Sequence, residues 1–427
     1  MPQPLSQQSY STPLSTKDAL ARFYTKERIS DLLVQSLGSY QPNSLLDLGC
    51  GLGALSYAAS RRWKNVSIVT VDIDVNAQQQ SWVGQTAAGA SHMHISGDAL
   101  SQDIFDRVIR ERVGGFDAVL SNPPFVKPKW RPCYESIIEG AGLSDVVAIK
   151  STASSDVLFL AQALRLIRSD GLAGFIVPEG LIAGTRSERI REFLIRNHRI
   201  TNVIALQPKS FNGIEVRTHL LTLRKGVARK PYHINISSMG RDGRVTTPVI
   251  ISSETGAKRL DYDYHVSNSL LLSRDMNLAT IGAEVSRGSI SSAACRSTHH
   301  FVLHTTNFYQ FGGEMLDNKS RPVRTLSLGN SDKTSKGALG VQAGDIVISR
   351  VGRNLHEKIA LVVEGTAPIS DCIFRIRVPE RFRVPVVAEL ASARGQQWLK
   401  AVSHGAGATH ITKAELLEFP LPSSIAS

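Results

Sequence analysis

The stretch Gly115-Phe116-Asp117-Ala118-Val119-Leu120-Ser121-Asn122-Pro123-Pro124-Phe125 decides how the chain is read. Phe116 to Leu120 is a short, mainly apolar run of the kind buried in a parallel sheet, and two prolines end it abruptly. An amide side chain, a rigid carbonyl-bearing turn and an aromatic ring then stand at the carboxyl edge of that sheet. In open α/β sheets ligands bind at that edge. An isolated Asn-Pro-Pro is more often a turn capped by a polar residue, so its meaning depends on its neighbours.

Upstream, Ser44-Leu45-Leu46-Asp47-Leu48-Gly49-Cys50-Gly51-Leu52-Gly53 reads as a strand, a glycine-rich turn and the start of a helix over Ala54 to Arg61. Glycines let backbone approach a ligand closely, and a helix amino terminus offers free N–H groups. A second strand, Val66 to Val71, ends in Asp72, about twenty residues after the glycines, where an acid can accept the ribose hydroxyls of a nucleoside cofactor. Asp74 is the alternative there, and capping of the next helix is its simpler role. A third strand, His92 to Ser96, ends in Gly97-Asp98, a carboxylate placed to accept from an adenine amino group or to close a plain turn. Ahead of all this, Phe23-Tyr24-Thr25 precede a helix over Glu27 to Leu37 with Ile29, Leu32, Leu33 and Leu37 on one face. Phe23 and Tyr24 suit either a hydrophobic staple or a binding role.

Downstream, Val126 to Ser155 is a long segment with Lys127, Lys129, Trp130 and Arg131 near its start, where Pro128 and Pro132 oppose a helix. It suits contact with a nucleic-acid backbone, closure over the site, or a solvated loop. Asp156 opens an amphipathic helix expected to end at Asp170-Gly171, and a strand, Leu172 to Val177, meets Pro178-Glu179-Gly180. A helix over Ser187 to Arg196 shows an exposed basic face of Arg189, Arg191 and Arg196. Strands over Asn202 to Leu206 and Val216 to Leu223 flank Lys209-Ser210-Phe211. The first 225 residues or so are therefore strand-helix units around a mainly parallel sheet. The pattern weakens from Pro231 to about Asp275, and the tail turns to short β-like runs, Ala343 to Arg350 and Cys372 to Arg377. A helical stretch, Val386 to Val402, follows, with Pro385 placed to open its first turn.

A chain of 427 residues, 42% hydrophobic, has room for two domains. Its net charge of +12 is spread along the length: from Ala228 onward 24 Lys/Arg face 17 Asp/Glu. That balance favours a polyanionic partner. Cys50, Cys133, Cys295 and Cys372 are scattered without metal-ligand spacing, which argues against a zinc site and a disulfide framework. Met1 to Asp18 is polar, without an apolar signal core, and the most apolar long window, Gly171 to Ala183, is too short to span a bilayer. A soluble, cytoplasmic protein without membrane or metal partners is expected.

Four strand ends at cofactor spacing describe a methyl-transfer site. An exocyclic amine is a poor nucleophile because its lone pair is delocalised into the base. The Asn122 oxygen and the Pro123 carbonyl can each accept one of its N–H bonds and aim the lone pair at a methyl carbon. Phe125 can stack on a base turned out of its helix. Phe211 is the candidate for the other face, and a core role is its alternative.

Phe23-Tyr24-Thr25, Asp47-Leu48-Gly49-Cys50-Gly51-Leu52-Gly53, Gly97-Asp98 and Asn122-Pro123-Pro124-Phe125, in this order, resemble the gamma class of amino-group DNA methyltransferases. The resemblance implies a Rossmann-like, mainly parallel α/β sheet of the S-adenosylmethionine methyltransferase type and S-adenosyl-L-methionine as cofactor. It implies cofactor contacts from Phe23, Tyr24, Thr25, Asp47, Gly49, Cys50, Gly51, Gly53, Asp72, Asp98 and Asn122. It makes Asn122, Pro123, Pro124 and Phe125 the catalytic turn that holds a target adenine. Phe125 stands where Tyr is commoner: stacking survives, a hydroxyl is lost.

The tail resembles the target-recognition domains of type I restriction specificity subunits through Gly344 to Gly352, Ile369-Ser370-Asp371, Gly407 to Thr412 and Phe419-Pro420-Leu421-Pro422. The expected organisation is an arm over 1–18, a catalytic domain over 19–255, a connector over 256–275 and a smaller α+β DNA target-recognition domain over 276–427. Double-stranded DNA is the expected partner, together with a separate restriction or specificity subunit. Lys127, Lys129, Arg131, Arg350, Arg353 and Lys358 are the candidate DNA contacts. An RNA or protein-glutamine methyltransferase and a catalytically decayed specificity component are the alternatives.

Overall fold

The structure is a computed structural model that describes residues 25–74, 91–147, 152–207, 210, 217–226, 231–269, 276–297, 300–309, 312–316, 322–330, 339–404 and 408–425. It divides into two compact units, Met1–Ile176 and Val177–Ser427.

In the first unit, β1 (Ser44–Leu48), β2 (Ser67–Asp72), β3 (Ser91–Ser96), β4 (Phe116–Ser121) and β5 (Ile167–Pro178) lie in the order β3-β2-β1-β4-β5. Their pairings are parallel. Leu48 lies beside Val71 on one side and Ser121 on the other, and Asp72 lies beside Ser96. The glycine turn, Asp72, Asp98 and Asn122 therefore leave the sheet at one edge, as the apolar runs implied. Every residue of β1 and β4 is buried, including two carboxylates. Asp117, inside β4, is satisfied where it stands: Oδ2 accepts from the Asn43 and Ser44 amides at 3.0 and 2.9 Å, and Oδ1 receives Arg168 Nε at 2.6 Å.

That Arg168 contact marks a correction. The helix expected to run to Asp170 spans Ser155–Leu166, and β5 already begins at Ile167. Arg168 turns back onto Asp117, Asp170 adopts a left-handed φ of 64°, and the pairing with β4 resumes at Leu172. A buried acid in the neighbouring strand outweighs the helical periodicity. The long segment after Phe125 likewise holds a helix, Cys133–Gly140, unread in the sequence.

In the second unit β6 (His198–Ala205), β7 (Thr218–Lys225), β8 (His233–Ser238) and β9 (Val249–Ser252) follow the order β7-β6-β8-β9. Only β6 and β8 pair parallel among these. The basic face of helix Glu188–Asn197 was expected to be exposed, yet Arg191 is buried. Its guanidinium donates to the carbonyls of Leu181 at 3.0 Å, Gly184 at 2.9 Å and Ala257 at 3.1 Å, and also to that of Lys258. Backbone oxygens left over by three short elements recruit it, as buried carbonyls require.

The remaining strands are β10 (Glu284–Arg287), β11 (Gly312–Leu316), β12 (Pro322–Asn330), β13 (Gly340–Gln342), β14 (Ile346–Ser349), β15 (Val351–Gly352), β16 (Ile359–Pro368), β17 (Ile373–Arg377) and β18 (Thr409–His410). One sheet runs β10-β17-β14-β16-β12-β11, with β13 on β16. Ile346 and Ile348 enter one apolar cluster with Phe374, Val386 and Trp398, whereas Val347 enters another with Val362 and Ile373. Both faces are buried, which explains the unbroken apolar run of β14. The expected single helix over Val386 to Val402 is two, Arg383–Ala391 and Ala393–Val402. Ser392 breaks it and caps the second half by accepting from the Gly395 amide at 3.0 Å, and Pro385 is the third helical residue rather than the first.

Arg259 is the polar centre of this unit. It is buried, donates to both Asp261 oxygens at 2.7 and 3.0 Å, and donates to the carbonyls of Val402 and Ala401 at 2.6 and 2.9 Å. Those carbonyls end helix Ala393–Val402, so a cation caps the negative end of its dipole. Burial opposes ionisation of Asp261, but Arg259 outweighs it and the carboxyl is held below the usual range. The stretch expected as a connector, 256–275, is therefore anchored at Arg259 and Asp261.

Burial pushes the His219 imidazole down to about 4. The folded chain keeps it neutral while an unfolded histidine takes up a proton near its ordinary value. This contribution is present above pH 6.5 and is lost as pH falls towards 4, by up to about 3 kcal/mol. Asp47, pushed up to about 7 by burial, acts with the opposite sign. We expect His219→Gln to flatten the acid limb of stability between pH 6.5 and 4, read by denaturant melts of both proteins. Parallel pH profiles would exclude the histidine.

Candidate active site

The glycine turn is built by backbone sign. Gly49, Gly51 and Gly53 all have φ in the left-handed region, at 71°, 52° and 79°. A Cβ on Gly49 would lie 3.1 Å from the Phe159 ring, so glycine is needed there for space as well as for conformation. The Gly49 and Cys50 amides donate to the Val71 carbonyl at 2.9 and 3.0 Å, which fastens the turn to β2. Asp47 lies behind the turn. Its Oδ2 accepts from Ser56 amide and hydroxyl at 3.1 and 2.5 Å, holding the start of helix Ala54–Arg62, and it does not line the cleft. Its job is to shape the turn.

Asp72 is buried at the end of β2. Oδ2 accepts from the Gly51 amide at 2.7 Å and Oδ1 from the Asp74 amide at 2.8 Å. Each oxygen keeps a lone pair, and the carboxylate lines a cleft of about 910 Å³. Ile73, 52% exposed, presents an apolar face beside it. At the end of β3, Asp98 Oδ1 accepts from the Leu100 amide at 2.9 Å and Oδ2 receives Arg131.

Asn122, at the end of β4, donates from Nδ2 to Thr25 Oγ1 at 2.9 Å, and its Oδ1 is shielded from solvent. Thr25 just precedes helix Glu27–Ser36. Pro123 is buried, Phe125 half-buried, and Thr25, Asn122 and Pro124 line the same cleft as Gly49, Cys50, Gly51, Asp72 and Asp98. Gly53, Pro123 and Phe125 are not among its lining residues. Phe23, Tyr24 and Phe211 lie outside the described residues.

Lys127, Lys129 and Arg131 also line the cleft. So do Tyr57, Leu100, Tyr134 and Phe159, which sequence reasoning did not single out. Phe159 lies in helix Ser155–Leu166, and its approach to Gly49 is a long-range one that local pattern does not carry.

Within the second unit three of the tail's four motif pieces come together. The Arg350 amide donates to the Cys372 carbonyl at 2.8 Å, and the Ile411 amide to the Arg350 carbonyl at 3.1 Å. Thr409 Oγ1 donates to the Gly352 carbonyl at 2.8 Å across the β15–β18 pair. Arg350 Nε is engaged by the Asp371 carbonyl at 2.7 Å, which ties part of that cation to the scaffold. Arg353 is exposed. Lys358 lies 6.0 Å from the ring of Tyr309, which is 55% exposed with the Arg324 guanidinium 4.7 Å from its centroid. This aromatic-cationic group was not seen in the sequence, because Tyr309, Arg324 and Lys358 belong to separate elements.

A nucleoside cofactor with a sulfonium side chain fits the residues present. Asp72 would supply acceptors for ribose hydroxyls, Ile73 an apolar face, Asp98 an acceptor for an amino group, and the glycine turn room for close approach. S-adenosyl-L-methionine is the cofactor, and when bound it supplies the methyl group as an electrophile. We expect Asp72→Ala to weaken S-adenosylhomocysteine binding by about a hundredfold or more, since two hydroxyl contacts and the turn's anchor go together. Calorimetric titration checks this, and unchanged affinity would remove Asp72 from the site.

Curated relatives match parts of the chain. A ribosomal RNA small subunit methyltransferase C from Pseudomonas syringae pv. tomato is 31% identical over 99 residues, covering 23% of this chain and 27% of that one. The type I restriction enzyme MpnII methylase subunit of Mycoplasma pneumoniae is 23% identical over 222 residues, covering 49% and 41%. The chain thus spans less than half the length of either relative. Among solved structures, a type I restriction-modification methyltransferase subunit from Streptococcus thermophilus covers 60% of this chain and 53% of its own, at 20% identity and a TM-score of 0.44. The type IIG restriction endonuclease BpuSI covers 94% of this chain and 58% of its own, at 14% identity and a TM-score of 0.48. Residues 12–245, more than half of the sequence, match the model of the N-6 DNA methylases, and the chain belongs to that family.

Proposed function

We propose that this protein transfers the methyl group of S-adenosylmethionine to the exocyclic N6 of an adenine turned out of double-stranded DNA. The observation that carries the proposal is Asn122: it leaves β4 at the edge shared with the glycine turn and Asp72, is held by Thr25, and lines one cleft with all three. The Asn122 oxygen and the Pro123 carbonyl accept the two N6–H bonds, and Phe125 stacks on the base. S-adenosylmethionine held in this cleft would supply the methyl carbon to the N6 lone pair, and the electron pair of the sulfur–methyl bond would stay on sulfur. The extra proton leaves N6 for solvent after transfer, so no strong base is required.

The domains we assign are 19–255 for catalysis, 256–275 as a connector and 276–427 for reading the target sequence. An apolar core drawn from Leu278 to Leu421 supports the last. Lys127, Lys129, Arg350, Arg353 and Lys358 are the DNA contacts in this reading. The relative named as a type I methylase subunit supports a place in a restriction-modification system with a separate restriction or specificity subunit. Among the described residues no group of side chains has metal-binding geometry, and no helix is long and apolar enough to cross a membrane.

A second reading is an RNA acceptor, favoured by the ribosomal RNA methyltransferase, whose identity is higher over a shorter stretch. Incubation with labelled cofactor and either duplex DNA or ribosomal RNA, followed by mass spectrometry of the nucleosides, separates the two. N6-methyldeoxyadenosine from DNA is the expected product, and label in RNA alone would replace the first reading by the second.

A further inference from the structure

The chain that leaves the Asn122 turn is docked on the end of β3. Arg131 Nη2 donates to Asp98 Oδ2, and Arg131 Nε donates to the Tyr134 hydroxyl at 2.9 Å. Cys133 Sγ lies 3.7 Å from the Leu100 carbonyl, and Trp130 meets the Tyr134 ring edge-on at 5.6 Å. Asp98 is thereby oriented from both sides, by Leu100 N–H on Oδ1 and by Arg131 on Oδ2. A carboxylate has about four acceptor positions, so two remain for a ligand.

Arg131 was read in the sequence as a DNA contact. Its guanidinium faces Asp98 and Tyr134 inside the cleft wall instead, where a phosphate would have to compete with a charge-assisted bond. The Arg131 side chain is 48% exposed, so the pair adds little to stability, and what it fixes is direction.

We propose that Arg131 is a positioning residue for the cofactor: it holds Asp98 with an acceptor lone pair turned to the adenine 6-amino group. It also ties the segment after the catalytic turn to the adenine end of the cleft. The proposal rests on the reading of this cleft as an S-adenosylmethionine site. It assigns Arg131 to cofactor selection rather than to the phosphate backbone.

The test is equilibrium binding by the full-length protein, without DNA, of S-adenosylhomocysteine and of its 6-desamino purine analogue. In Arg131→Ala, S-adenosylhomocysteine weakens about tenfold while the analogue, which has no amino group to lose, changes by less than about twofold. Arg131→Lys recovers part of the loss. DNA affinity and its salt dependence stay as in the wild type. Equal weakening of both ligands would mean a structural role only, and unchanged affinity for S-adenosylhomocysteine would mean none; either overturns the proposal. A salt slope for DNA binding shallower by about one would restore the phosphate contact and overturn it as well. If the wild type binds neither ligand, the cofactor reading of the cleft fails, and the Arg131 proposal fails with it.

Discussion

Asn122→Ala is expected to lose methyl transfer by on the order of 10³-fold while S-adenosylhomocysteine binds within about threefold of wild type. The asymmetry follows from position. In the proposed site the cofactor end of the cleft is made by the glycine turn, Asp72 and Asp98, none of which is held by Asn122 in the contacts described. The reacting end depends on the amide, whose Nδ2 is held by Thr25 Oγ1 at 2.9 Å. Truncation removes one of the two acceptors that steer the N6 lone pair, and it releases Thr25 as well. Asn122→Asp keeps an acceptor but replaces an N–H donor by an acceptor oxygen facing Thr25, and it adds charge. It should recover only a small part of the loss. Single-turnover rates beside cofactor titrations make the check, and wild-type-like turnover of the alanine variant would sink the mechanism.

Arg259→Ala is expected to cost roughly 3–5 kcal/mol of folding stability, the range for removing one partner of a buried ion pair. Three things are lost together. Asp261 keeps a buried charge without its bidentate partner, the Ala401 and Val402 carbonyls lose their donor, and Glu415, 3.6 Å from Arg259, loses a counter-charge. His404, 3.3 Å from Glu415, offsets that charge only when it is protonated. The paired change Arg259→Met with Asp261→Leu should recover more than half of the loss, since it removes both desolvated charges. Denaturant melts of the two variants measure this. A single variant within about 0.5 kcal/mol of wild type would show that the network is incidental.

The parallel half of the fold was legible because apolar strands in β1, β2 and β4 end in residues that no core needs: glycines, Asp72 and Asn122. Ligand chemistry leaves such residues at strand ends, and the register of three neighbours then follows from strand lengths. The errors share one cause. Arg191, read as solvated, is drawn inward by four backbone carbonyls that sequence periodicity cannot see. Arg168 ends a helix early because Asp117, far away in sequence, is buried beside it. In each case a long-range polar partner overrides a local pattern. Asp47 is the subtler instance: its place in the glycine motif suggested a ligand contact, and burial behind Ser56 makes it a shaper of the turn.

In the proposed reading this chain both selects and methylates adenine in DNA. Modification-sensitive sequencing of DNA from a host expressing the protein tests it most directly, with an Asn122→Ala host as control. N6-methyladenine at one short sequence motif in the first host, and none at that motif in the second, is the predicted result. Adenines unmodified above the control, or modified without regard to sequence, would contradict it.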